Sequence, residues 1–68
     1  MITVTRLDEF RRQTERDVCA TLEGALQSVM DMVKRCVAGD QVIVETDGTP
    51  VEDLFLRFLE QFPVVRLE

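Results

Sequence analysis

The chain has 68 residues, 46% of them hydrophobic, and its thirteen acidic residues against eight basic ones give a net charge of −5. A chain this short makes a single domain, residues 1–68, that buries only about 60% of its unfolded surface, so association with a second chain is one of the few ways to reinforce it. The acidic balance repels phosphate backbones and suits a protein partner better than nucleic acid, and the absence of histidine removes the commonest general base and metal ligand.

Ile2-Thr3-Val4-Thr5 alternates apolar and polar residues, the pattern of a strand with Ile2 and Val4 inward. Thr5 with Asp8, and Thr14 with Asp17, each read as a helix start in which an acid three residues on answers the capping hydroxyl. These two starts predict a short helix around Leu7–Arg12 and a long one from about Glu15 to Val37, with one long bent helix as the other option. Val18, Leu22, Ala25, Val29, Val33 and Cys36 form an apolar stripe, and Cys19, Leu26, Met30 and Val37 a second beside it. A face that wide fits a buried central helix and fits equally a helix shared with a second subunit. Lys34 and Arg35 suit the last turn of that helix, and Gly39 supplies the left-handed residue that ends it.

Val42-Ile43-Val44 is a β-branched run that predicts a strand buried on both faces, and Asp47-Gly48 a turn. Thr49, Pro50 and Glu52 read as cap, first helical position and capping-box acid. Val51, Leu54, Phe55, Phe58, Leu59 and Phe62 then make an amphipathic stripe, with Leu56 off it. Pro63 stops the helix and Val64–Leu67 reads as a third short strand. The predicted fold class is α/β, with α+β as the other possibility: a small two-layer β-α(α)-β-α-β domain whose three-stranded sheet carries helices on one face. The uncovered face points to a homodimer.

The chemistry-bearing patterns are missing. Cys19 and Cys36 on one long helix would stand ~25 Å apart, beyond disulfide reach, and read as reduced thiols of a cytoplasmic protein. No apolar run approaches the ~20 residues of a membrane span. Gly24, Gly39 and Gly48 are isolated, so no phosphate loop exists. The carboxylate pairs Glu45/Asp47 and Glu52/Asp53 are explained by a turn and a helix start. The expectation is a protein that is not an enzyme, with no catalytic, metal or cofactor residue. Arg6, Arg11, Arg12 and Arg16 form the one basic cluster, interleaved with Asp8, Glu9, Glu15 and Asp17, which would neutralise it.

Several of these elements in sequence, namely Ile2-Thr3-Val4-Thr5, Phe10-Arg11, Gly39-Asp40-Gln41-Val42-Ile43-Val44 and Gly48-Thr49-Pro50-Val51, resemble the Phd/YefM-type antitoxins over about half of the chain. The resemblance implies dimeric operator binding with autorepression, and toxin neutralisation by a C-terminal segment. Arg11 and Arg12 would then face DNA, with Arg6 and Arg16 in the same patch, and the Phe-rich helix would face the toxin.

The leading expectation from the residues themselves is a non-enzymatic, acidic, cytoplasmic interaction protein that regulates or inhibits a protein partner, in the manner of small phage- or host-encoded inhibitors. Met30, Met32, Leu56, Phe58 and Phe62 are its candidate contacts. The antitoxin reading and an orphan structural or oligomerisation domain are the alternatives.

Overall fold

A computed structural model describes all 68 residues. The first strand, β1 (Ile2–Leu7), forms a hairpin with β2 (Gln13–Cys19). Helix α1 (Leu22–Arg35), strand β3 (Gln41–Glu45), helix α2 (Asp53–Glu60) and strand β4 (Val65–Leu67) follow. The sheet therefore has four strands rather than the expected three, in the order β2-β1-β3-β4. β1 runs antiparallel to both neighbours, and β3 and β4 are parallel.

The correction lies in residues 7–19. The predicted short helix around Leu7–Arg12 is a hairpin turn, and the predicted long helix loses its first third to β2. The Asp8 carboxylate accepts the N–H groups of Phe10 and Arg12 at 2.9 and 2.8 Å. An aspartate that can cap a helix can equally hold a turn, and here it holds one, leaving Phe10, the one apolar residue of Glu9–Arg12, exposed. Arg11 takes a left-handed conformation within it, at φ 63°. A helix does begin at Thr21, whose hydroxyl accepts the Gly24 N–H at 3.0 Å.

The register decides which side chains meet. Ile2 and Val4 of β1, Cys19 of β2, and Val42 and Val44 of β3 point to one face. There they pack against Ala25, Val29 and Met32 of α1 and Phe55 and Leu59 of α2 in one core. Both helices thus lie on the same side of the sheet, as the two-layer expectation had it. β1 and β3 are the inner strands, and the all-apolar run of β3 is explained: Val42 and Val44 face the core while Ile43, also buried, lies on the other face. That other face is mostly polar, carrying Thr3, Thr5, Arg16, Glu45 and Arg66, with Leu7 and the exposed Val18 as its further apolar residues.

Two turns use left-handed residues where the sequence placed them. Gly39 stands at φ +92°, and Asp47 and Gly48 turn the chain out of β3 at φ 48° and 76°. The start of α2 differs from expectation. Its N-cap is Glu52, with no side-chain hydrogen bond to the first turn, and Thr49 stands outside the helix, accepting the terminal amine of Met1 at 2.8 Å. Both helices return antiparallel to β3, so α1 and α2 run in the same direction with a furrow between them.

Candidate protein-docking cleft

The furrow is where the apolar surface left over from the core collects. Ala25, Val29 and Met32 set the buried line of α1, and Leu22, Leu26 and Met30 follow one another at four-residue spacing along the flank that turns toward α2. On α2, Phe55 and Leu59 are buried, and Leu54 and Phe58 form the matching row on the flank facing α1, with Phe62 following just past the end of the helix. A cleft of about 580 Å³ opens between the N-terminal halves of the two helices, lined by Thr21, Leu22, Glu23, Leu26, Glu52, Leu54, Phe55 and Phe58. Leu54 is 72% exposed, although it sits among leucines and phenylalanines. Phe58 and Phe62 meet edge to face with ring centroids 5.1 Å apart, which steadies the Phe58 ring at the cleft. The cleft is apolar at its floor and acidic at its rim through Glu23 and Glu52.

The expected contact residues divide. Phe58 lines the cleft and Phe62 stacks on it; Met30 is exposed on the same flank of α1. Met32 is 3% exposed and belongs to the core, which removes it as a contact. With α1 beginning at Leu22, Met32 falls one turn beyond Ser28 and Val29 on the buried line. Leu56 is half-buried on the opposite flank of α2, where it meets Leu59, Val65 and Leu67. In the sequence Leu22, Leu26 and Leu54 fall within broad apolar stripes. Their four-residue spacing to Met30 and Phe58 was the signal for a separate flank, but it points somewhere only once the helices' neighbours are known.

The expected basic cluster is dispersed. Arg6 is drawn into a polar network beneath the C-terminal end of α1. Its Nε donates to Glu15 at 2.6 Å and its terminal nitrogen to Asp40 at 2.9 Å, with the Asp40 side chain only 3% exposed. Arg35 reaches the same Glu15 at 2.5 Å. The Arg35 guanidinium, with Arg6 behind it, holds Glu15 below its ordinary value of 4.5. The Val37 backbone N–H, helped by Arg6, holds Asp40 below its ordinary 3.8. Arg6 is correspondingly raised, first by Glu15 and then by Asp40. Arg11 and Arg12 sit exposed in the hairpin turn, the latter over the Phe10 ring at 6.0 Å, and Arg16 lies on the polar sheet face. None of these three enters an ion pair.

The thiols stand apart from any nucleophile arrangement. Cys19 is buried, its sulfur 3.5 Å from the Ser28 hydroxyl, which in turn donates to Asp17. Burial pushes the Cys36 thiol up, away from the thiolate that reactivity requires. No group of three or more Cys, Asp or Glu side chains converges in a way that could hold a metal ion, and no helix is long and apolar enough to cross a membrane. Set against protein-family models, curated proteins and solved structures, the chain gives no match to any of them.

Proposed function

We propose that this is a non-enzymatic binding protein that regulates or inhibits a protein partner by receiving an amphipathic helix of that partner between α1 and α2. The observation that carries the reading is the cleft itself: two facing apolar pairs, Leu22/Leu26 of α1 and Leu54/Phe58 of α2, with the exposed apolar side chain of α2, Leu54, at its mouth. Rows at four-residue spacing receive the i, i+4, i+7 face of a third helix. The acidic rim and the chain's net charge of −5 favour a partner helix with lysine or arginine along its flanks. A cytoplasmic setting and a homodimeric state belong to the same proposal.

A designed helical peptide of leucine and lysine tests it. In NMR titration it should shift the resonances of Leu22, Leu26, Leu54 and Phe58, and the Leu54→Asp variant should lose that response while keeping its fold, because Leu54 contributes little to the core. A leucine-glutamate peptide of the same pattern should leave the spectrum unchanged. Shifts that fall elsewhere on the surface, or an equal response to both peptides, would sink the reading.

The antitoxin reading retains one supporting observation, the three exposed and unpaired arginines Arg11, Arg12 and Arg16. It requires binding to duplex DNA that weakens with salt and falls when Arg11 and Arg12 are replaced by alanine; a flat titration at low salt rules it out.

A further inference from the structure

The two edges of the sheet are unlike, and one of them is built to meet its own copy. Strand β2 presents Glu15-Arg16-Asp17 along its free edge. Pairing it with a second β2 about a two-fold axis through any of these three residues sets a like charge against itself, which opposes association. The β4 edge carries Arg66 and Glu68, but an axis through Leu67 between them sets no like charges against each other. The Val42 N–H bonds to the Val64 carbonyl and the Glu68 N–H to the Val44 carbonyl. Residues 64, 66 and 68 therefore face β3, and the alternation of a parallel ladder turns the Leu67 N–H and C=O to the open side. The Leu67 side chain, 43% exposed, lies on the helix-covered face. Beside it a second apolar cleft of about 310 Å³ is lined by Leu56, Leu59, Glu60, Val65 and Leu67.

We infer that β4 is a self-pairing edge, and that two copies of this chain join β4 to β4 antiparallel about a two-fold axis at Leu67 to make one continuous eight-stranded sheet. In that register Leu67 exchanges both backbone hydrogen bonds with its counterpart, and the two Leu67 side chains cover the cleft between each α2 and its sheet. On the other face Arg66 of each chain stands opposite Glu68 of its partner, so unlike charges meet on both sides of the axis. Within one chain that pair is loose, at 3.6 Å and more than 40% exposed on each side chain, which leaves both groups free to re-pair. Leu56 finds its role here, as the α2 residue on the flank that approaches the axis. The occupant is a second copy because the edge satisfies itself in backbone bonding, apolar contact and charge at one register. The two clefts share no lining residue, so both can be occupied together.

Sedimentation equilibrium of the full chain over a range of concentrations tests the inference. The wild type should show a monomer–dimer equilibrium, and the amide of Leu67 should exchange more slowly as concentration rises. Arg66→Glu should weaken the dimer about tenfold, since symmetry counts the repulsion twice. Adding Glu68→Arg in the same chain should restore it, and Leu67→Pro, which removes the edge N–H, should abolish it. A chain that stays monomeric at millimolar concentration overturns the inference. So does a dimer indifferent to Leu67→Pro, or a charge swap that fails to restore what Arg66→Glu removed.

Discussion

Met30 and Met32 are two positions apart on α1 and have opposite fates, which makes them a direct measure of how the helix is set. Met32 is enclosed by the core, so Met32→Ala leaves a cavity and should cost about 2–4 kcal/mol in urea unfolding, while Met30→Ala should stay within about 0.5 kcal/mol. Gly39 carries a double constraint. Its φ is +92°, and a Cβ there would stand 2.6 Å from the Cβ of Glu9 in the hairpin turn. Gly39→Ala should therefore destabilise by about 1–3 kcal/mol, read as a lowered thermal midpoint, whereas Gly48→Ala meets no neighbour and bears only the backbone term. Glu15 and Asp40 set the acid response. Both have folded-state values below their ordinary 4.5 and 3.8, so as pH falls the unfolded chain takes up these protons before the folded one. Their stabilisation is complete at neutral pH and drains away as pH drops below about 4.5, through the lowered values of the folded state. Urea titrations at successive pH values should show this decline, and the Glu15→Gln/Asp40→Asn variant should show a shallower one.

Among the elements, β3, the turn at Asp47-Gly48, the body of α2 and β4 were legible because each rests on local chemistry: β-branched side chains, left-handed residues, a phenylalanine stripe and a proline stop. β2 was not. Of Gln13–Cys19 only Val18 and Cys19 are apolar, so the period of two that marks a strand is written in charges, and Glu15-Arg16-Asp17 reads as readily as helix surface. What makes it a strand is distant: the pairing with β1 and the reach of Arg6 and Arg35 to Glu15, contacts between residues 9 and 20 positions apart. The same logic moves the start of α1 to Thr21. Removing its hydroxyl in Thr21→Ala should cost about 1 kcal/mol in thermal unfolding, a loss that no capping site upstream in β2 would share. Thr49 was misplaced for a related reason. Its hydroxyl meets the chain's own amino terminus, a partner 48 residues away that no local pattern announces.

At the scale of the whole molecule, surplus apolar surface was anticipated, and its position was not. A bare sheet face was the expected place, yet that face carries mainly threonines, arginines and a glutamate around the buried Ile43, with Val18 and Leu7 toward the β2 side. Long polar side chains can shelter one apolar residue by laying their stems over it. The larger share lies instead along the flanks of α2, one facing α1 and the other facing the β4 edge, and a helix of eight residues with two phenylalanines and three leucines could hardly bury all of them against so small a sheet. The inner position of β1 has a consequence for birth on the ribosome. β1 must be flanked on its second side by residues 41–45, so the hairpin emerges before that partner strand and waits with one row of amides unmatched. Nascent chains tethered through a force-sensitive stalling sequence should register no pull until Glu45 has cleared the exit tunnel, and an abrupt one thereafter.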